Sequence, residues 1–327
     1  GFTVGSIYAL MAVGLTLIYS VQGIVSFAHG QFYMLGGYFA YYFLQMSNDF
    51  LQGLAPNFLE SDQEWLGTVG QMLQTAEINP IFAIPIAGVL TFIIGAVFER
   101  YLLRPMHLGH VERIHEYAIL ITFGFGFIVE NTVIALAGPF SVSANNFTSV
   151  KRVTVGEVGF DGETVFGPIR LLGDRLVAMV IGVVLIGLLF YFLQRTWTGR
   201  ALRAISEDKQ AAAVTGVNPL SMNTFAFGLG TMLAGMAGAA LVPVFAFVPW
   251  VGAEMAGRAY VIVVLGGLGS VPGALIGGII VGIIEAFGAG CYSDASKGAA
   301  YKEAFALAAF AVVLLLKPTG LFGREEL

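Results

Sequence analysis

The chain has 327 residues, of which 57% are hydrophobic and 11% are charged, and its formal net charge is −5. Soluble domains carry about 25% charged residues, so the composition excludes an ordinary soluble protein and predicts one surrounded largely by lipid. No basic stretch suggests nucleic-acid binding, and the single cysteine excludes an internal disulfide. The chain begins at Gly1 inside an apolar run, and we expect further residues to precede it.

Apolar runs of about 20 residues predict membrane-spanning helices. The sequence contains about eight such runs and one shorter apolar piece, at 257–267, that is too short to cross alone. The sequence lacks the alternating ten-residue segments that are typical of a membrane β-barrel. We therefore predict an all-α integral membrane protein with a single transmembrane domain over 1–327. The spans are expected near 3–19, 31–46, 81–103, 117–137, 176–194, 222–245, 273–290 and 302–316.

Lys and Arg concentrate in the cytoplasmic loops of membrane proteins. They occur here near 100–113, near 195–209 and after the last span, so we place these regions and the C-terminus in the cytoplasm. The loops 47–80 and 139–175 are predicted to be extracytoplasmic. The loop 47–80 contains no Lys or Arg. The loop 139–175 contains four, but it lies between two regions placed in the cytoplasm and one span away from each, so we assign it to the outside. Alternating β-branched residues around Asp161-Gly162 predict a small outer hairpin, either a docking surface or a cover over the helices.

Two polar or glycine-rich segments interrupt the apolar pattern, and they occupy comparable positions in the two halves of the chain. Irregular backbone at membrane depth occurs only where it is buried in protein or lines a cavity. Paired interruptions point to a transport pathway, and turn formation with helix packing is the alternative. The predicted pathway residues in these segments, 21–30 and 265–273, are Phe27, His29, Gly30, Gly267 and Gly269.

Ionisable residues inside spans indicate functional sites. Glu285 is the deepest by position, and we predict that it lies on the pathway, with packing against a polar neighbour as the alternative. Glu130 is closer to the outer end of its span and either faces the pathway or reaches water. Glu99 next to Arg100 is interpreted as an interfacial ion pair.

The segment 199–216 is short, Ala-rich and of mixed charge, and it separates two apolar spans. We predict a single cytoplasmic helix that ends at Gly216, with Asn218-Pro219 opening the next one. A helix resting on the membrane surface needs bulky apolar anchors, which are scarce here, so docking to a soluble partner is favoured. The predicted contact residues are Arg200, Arg203, Glu207, Asp208, Ala211 and Gly216.

Several motifs follow one another along the chain. They are Gly5-Ser-Ile-Tyr-Ala-Leu-Met, Ser26-Phe-Ala-His-Gly30, Met34-Leu-Gly-Gly-Tyr38, Glu99-Arg-x-x-x-Arg-Pro105, Arg203-Ala-x-x-Glu207-Asp208, Gly266-Gly-x-Gly-x-x-x-Gly273-Ala274 and Lys317-Pro-x-Gly-Leu-Phe-Gly323. In this order they resemble the permease subunits of ABC importers for branched-chain amino acids, most closely the first of the two permease types that pair. The outer loops 47–80 and 139–175 are longer than in that pattern.

The resemblance implies a multi-pass permease of the bacterial inner membrane. Its partners would be a second, homologous permease, two cytoplasmic ATPases and an extracytoplasmic binding protein. The segment 199–216 would couple ATP hydrolysis to movement of the spans, and the chain would have no cofactor, metal or catalytic residue of its own. The cargo would be branched-chain or related amino acids, with urea or short amides as the alternative.

Two other classes of membrane protein fit the sequence less well. An ion-coupled secondary transporter would show charged residues deep in several spans. An intramembrane enzyme would show a motif such as His-Glu-x-x-His or Gly-x-Ser-x-Gly, and neither occurs. The sequence also has no Gly-x-x-x-x-Gly-Lys-Ser/Thr motif, so we expect ATP to be hydrolysed by separate subunits.

Overall fold

A computed structural model describes residues 1–59, 77–109, 111–148, 152–155, 158–160, 163–166, 169–290 and 295–323. The predicted turn Asp161-Gly162, the acidic centre of the loop 47–80 and the last four residues lie outside the described residues. Helices dominate the described ranges, so the chain is an all-α membrane protein, as predicted.

The helices are labelled in chain order. They are α1 (Phe2–Gln22), α2 (His29–Leu59), α3 (Pro80–His107), α4 (Ile114–Ala137), α5 (Gly173–Arg195), α6 (Trp197–Glu207), α7 (Lys209–Val214), α8 (Pro219–Leu241), α9 (Val251–Gly266), α10 (Val271–Gly290) and α11 (Ala295–Leu316).

Six helices in the described part of the chain, namely α1, α3, α4, α5, α8 and α10, are long and apolar enough to cross a membrane. They correspond to six of the predicted spans. The other two predicted spans fall in α2 and α11, so the number of eight crossings stays a prediction. The helix α2 continues to Leu59, past the predicted end at 46. Polar residues end the apolar run at that point, but they do not have to end the helix.

The helices α1 and α8 form the centre of the bundle. In each of these helices, 83% of the most apolar stretch of 18 residues is buried, against 22% in α4 and 28% in α5. Small residues allow the backbones to approach closely. A Cβ atom on Gly14 of α1 would lie 2.6 Å from the carbonyl oxygen of Gly230 in α8, and one on Gly36 of α2 would lie 2.1 Å from that of Gly235. Glycines therefore set the spacing of α1, α2 and α8.

The first predicted interruption is a break between α1 and α2. Gly23 ends α1 in the left-handed conformation, with φ at 74°. His29 opens α2, and its Nε2 lies 3.0 Å from the carbonyl oxygen of Met11, near the middle of α1. The helix α2 thus begins level with the middle of α1. Ile24 and Ser26, in the irregular stretch between the two helices, are buried in protein.

The second interruption involves α9, the short element predicted at 257–267. The helix begins earlier than predicted, at Val251, and so includes the charged residues Glu254 and Arg258. These two side chains form an ion pair, so their charges do not have to end the helix. Its 16 residues span about 24 Å at 1.5 Å per residue, less than the hydrocarbon thickness of about 30 Å. The chain turns at Gly267 and Gly269, which both have positive φ, before α10 begins.

Two short helices, and not one, occupy 199–216. Helix α6 ends at Glu207, and Asp208 is extended and caps α7, its Oδ1 accepting from the amides of Gln210 and Ala211 at 2.7 and 3.0 Å. Asp is among the strongest N-cap residues, which explains why the predicted single helix breaks here. The predicted end at Gly216 is confirmed by its φ of 89°.

The start predicted for α8 is also confirmed. Asn218 caps the helix, with its Oδ1 accepting from the amides of Leu220 and Ser221, and Pro219 is the first helical residue. Residues 197–216, which we call the coupling region, therefore lie between well-defined ends of α5 and α8.

Four short strands occur in the predicted loop 139–175, as two separate antiparallel pairs: β1 (Arg152–Val155) with β4 (Ile169–Leu172), and β2 (Val158–Phe160) with β3 (Glu163–Phe166). Phe160 is paired with Glu163, which confirms a hairpin around the position predicted for its turn. The side of the membrane on which the hairpin lies stays a prediction.

The interpretation of Glu99 as an interfacial partner of Arg100 is wrong. Helix α3 contains a π-helical turn over Glu99–Leu103, and Glu99 is 0% exposed. Its carboxylate accepts a hydrogen bond from the hydroxyl of Thr224 in α8. This partner inside the protein lets the side chain face α8, since buried polar groups need hydrogen bonds.

The glycine contact between α2 and α8 can be tested by adding one methyl group. Gly36→Ala is expected to destabilise the purified protein by about 1–3 kcal/mol, because its Cβ would meet the backbone of Gly235. Gly187→Ala in α5 is the matched control, since its Cβ would meet nothing within 4 Å. Thermal unfolding in detergent measures both variants, and equal melting temperatures would contradict the role given to Gly36.

Candidate functional site

The coupling region presents all six of its predicted contact residues to the exterior. Its opposite side is buried against the bundle and includes Ala201, Leu202, Ile205 and Ala212. The coupling region is therefore a fixed protrusion with a polar outer surface. The exposed residues are Arg200, Arg203, Glu207, Asp208, Ala211 and Gly216.

Hydrogen bonds join the coupling region to the ends of two central helices. The ammonium of Lys209 donates to the carbonyl oxygen of Gln22, the last residue of α1, at 3.2 Å. The side-chain Nε2 of Gln22 donates in turn to the carbonyl oxygen of Asn223 in α8, at 2.9 Å. Partial burial lowers the pKa of Lys209, because desolvation disfavours its charge. Two hydrogen bonds in series thus join α7 to α1 and α8.

A cleft of about 770 Å³ opens beside the coupling region. Its walls include Arg203 and Glu207 from α6, the end of α1 at Tyr19 and the turn at Gly269. The structure therefore brings one predicted pathway residue, Gly269, together with two predicted coupling residues. Gly267 packs against the C-terminal tail, where a Cβ atom would lie 2.4 Å from the amide nitrogen of Gly323.

The predicted pathway residues of the first interruption lie elsewhere, where α2 begins. Phe27 is half-buried, its amide donates to Oγ1 of Thr122 in α4, and its ring lies 5.1 Å from that of Tyr260 in α9. His29 is fully buried against α1. Gly30 contacts the first turn of α9, where a Cβ atom would lie 1.9 Å from the carbonyl oxygen of Gly252. Phe27 alone of these three is partly accessible.

Glu285 lies in a third place, an ion network that joins four helices. Its side chain is 2% exposed, and its Oε1 lies 3.2 Å from Nε of Arg258 in α9. Its Oε2 lies 2.9 Å from Nζ of Lys302 in α11 and accepts from the hydroxyl of Tyr8 in α1 at 3.3 Å. Two cations and a hydroxyl therefore surround this carboxylate.

Arg258 extends the ion network toward the surface. One of its nitrogens, Nη2, contacts the carboxylates of Glu254 and Glu303 at 2.5 and 2.7 Å. The side chain of Arg258 is 11% exposed, whereas those of Glu254 and Glu303 are 44% and 56% exposed. The buried charges are thus paired with each other, and the acidic excess lies at the accessible rim.

Glu130, the other carboxylate considered for the pathway, is in a different setting. It is partly exposed, and its Oε2 accepts from Nε2 of Gln31 in α2 at 3.1 Å. None of the ion pairs found among the described residues includes it. Those residues also contain no group of three or more His, Cys, Asp or Glu side chains able to hold a metal ion.

Residues 1–315 match the family model described as branched-chain amino acid transport system / permease component. The chain belongs to this family. Among solved structures nothing matches significantly.

Three curated relatives show how this similarity is distributed. The high-affinity branched-chain amino acid transport system permease protein BraD of Pseudomonas aeruginosa is 29% identical, over 100% of this chain and 94% of its own length. The protein of the same description named LivH, from Escherichia coli, is 30% identical with the same coverage. LivM of Escherichia coli is 26% identical over 85% of this chain and 60% of its own length. The similarity to permeases of the LivH type thus extends over the whole chain.

Sequence reasoning missed the partners of both carboxylates. Arg258 had one available signal, because Glu254 precedes it by four residues, a spacing that forms ion pairs on helices. No sequence signal connects Lys302 or Tyr8 with Glu285, or Gln31 with Glu130, because these contacts join residues far apart in the chain.

The ion network is expected to be structural, and Glu285→Gln tests this. Removing the buried charge leaves Arg258 and Lys302 facing a neutral amide, and breaking a buried ion pair costs roughly 3–5 kcal/mol. Glu303→Gln is the matched control on the same arginine, and its loss is expected to cost much less because the Glu303 side chain is 56% exposed and screened by water. The melting temperature in detergent is expected to fall much further for Glu285→Gln than for Glu303→Gln. Similar decreases in the two variants would refute the structural role given to Glu285.

Proposed function

We propose that this chain is a permease subunit of an ABC importer and conducts branched-chain amino acids across the bacterial inner membrane. Similarity to permeases over essentially the full chain carries the proposal. The three relatives described above are all named for branched-chain amino acids. This supports that cargo over urea or short amides, and an importer over an ion-coupled carrier.

Separate subunits supply the energy for transport, and they act on this permease through the coupling region. The chain has no nucleotide-binding motif of its own, and the exposed outer face of α6 and α7 is available to separate ATPase subunits. When the ATPases close, they displace this face. The contacts of Lys209 and Gln22 transmit the displacement to α1 and α8, the two most buried helices.

The other partners follow from the same reasoning. Similarity to LivM as well as LivH supports a second, homologous permease as the other half of the pathway. Two ATPases would bind at the coupling end, and an extracytoplasmic binding protein would deliver cargo at the opposite end. The coupling region, the cleft and the C-terminal tail lie together, which supports a cytoplasmic location for all three.

Reversing one exposed charge tests the coupling role. Glu207→Lys is expected to lower ATP-driven leucine uptake by at least about tenfold, because a like-charge contact at an interface costs several kcal/mol. Insertion of the protein should be unaffected, since Glu207 is exposed and makes no described contact that holds the fold. Uptake and bound ATPase are measured in vesicles containing the complete importer.

Glu116→Lys is the matched control for this test. Glu116 lies at the beginning of α4, and its side-chain contact among the described residues is an exposed ion pair with Arg113. It is expected to keep uptake within twofold of wild type. Full uptake by the Glu207→Lys importer would show that the coupling region does not contact the ATPases through this residue.

A further inference from the structure

A stripe of aromatic side chains leads to Glu130. Phe123, Phe127 and Glu130 are four and three residues apart on α4, so they share one face of the helix. The two phenylalanine rings pack edge to face at 4.8 Å and are 52% and 54% exposed. The ring of Phe27 continues the stripe, 6.3 Å from Phe123, and Tyr260 follows it.

The end of this stripe carries an uncompensated negative charge. Among the described residues no Lys, Arg or His pairs with Glu130, whereas Glu285 has both Arg258 and Lys302. A carboxylate inside a membrane span is too costly to face lipid and faces the bundle or a water-filled cavity instead. We therefore expect Glu130 and the aromatic stripe beside it to face another protein surface or a water-filled cavity and not lipid.

Gln31 holds this carboxylate in place. Its side chain is 5% exposed, and its Nε2 donates to Glu130 at 3.1 Å. Its Oε1 has no hydrogen-bond partner and lies against Gly252, in the first turn of the half helix α9. Gln31 thus connects α4 with the beginning of α9. The single amide contact orients the carboxylate but does not neutralise it.

We propose that Glu130, positioned by Gln31, binds the α-ammonium group of an amino acid whose apolar side chain lies on the stripe of Phe27, Phe123 and Phe127. This inference rests on the proposed function and names the contact that the cargo makes on its way. An ammonium is the charge that the site lacks, and aromatic faces attract cations as well as apolar groups. Partial exposure of the site makes binding weak and release easy, as a pathway requires.

The test uses the complete importer in vesicles, with leucine-loaded binding protein at saturation. Glu130→Gln keeps the shape of the side chain and removes its charge. It is expected to lower leucine uptake by at least about tenfold, the loss of one charge-assisted contact. ATP hydrolysis stimulated by the binding protein should stay within about twofold, so less leucine enters per ATP. Glu130→Asp keeps the charge and is expected to retain uptake within about threefold.

Glu116→Gln, in the exposed first turn of the same helix and seven residues before Phe123, is the matched control and should transport as wild type. Uptake by Glu130→Gln equal to that of this control would overturn the inference. Equal loss in Glu130→Gln and Glu130→Asp would also overturn it, because shape and not charge would then matter. Loss of the second permease from the Glu130→Gln complex would assign Glu130 to the subunit interface instead. Failure of the wild-type importer to take up leucine would refute the proposed function and not this site alone.

Discussion

The structure depends on how closely three helix backbones approach one another. At Gly14 with Gly230 and at Gly36 with Gly235, a single added carbon would collide with a backbone carbonyl, so no side chain separates α1, α2 and α8. In a membrane this kind of packing replaces the hydrophobic effect as the main source of association between helices. It also makes α1 a central connector. One end of α1 reaches the coupling region through Gln22, and Tyr8, closer to its other end, reaches the ion network.

The three carboxylates inside the bundle, Glu285, Glu99 and Glu130, have different surroundings. In the ion network, positive and negative groups satisfy one another and join α1, α9, α10 and α11. Glu99 is held by a hydroxyl. The described partner of Glu130 is also neutral, but its side chain is partly accessible, whereas Glu99 is fully buried. Accessibility, together with the lack of a described cationic partner, is what sets Glu130 apart from the other two carboxylates.

Local patterns predicted much of this architecture. Apolar runs located six of the predicted spans, Gly216 and Asn218-Pro219 located helix ends, and the interruptions at 21–30 and 265–273 are real breaks. What could not be predicted depends on contacts between distant residues. The pathway role of Glu285 stays a prediction, and its depth in the span did not reveal that two cations lie alongside it. The break at Asp208 could have been predicted, because aspartate is a strong helix N-cap. We predicted a single helix instead because the charged residues of this segment recur at helical spacing. The π turn at Glu99 left no signal in the sequence.

The stretch between α1 and α2 has a consequence for how the protein is made. In that stretch the amide of Phe27 bonds to Thr122, and the carbonyl oxygen of Ser26 accepts from Tyr260. These partners are synthesised about a hundred and more than two hundred residues later. Unsatisfied backbone groups are not tolerated in lipid. The stretch between α1 and α2 therefore acquires its full set of hydrogen bonds only once α4 and α9 have been made, although the carbonyl oxygen of Ser26 also accepts locally from the backbone amide of His29 at 3.2 Å.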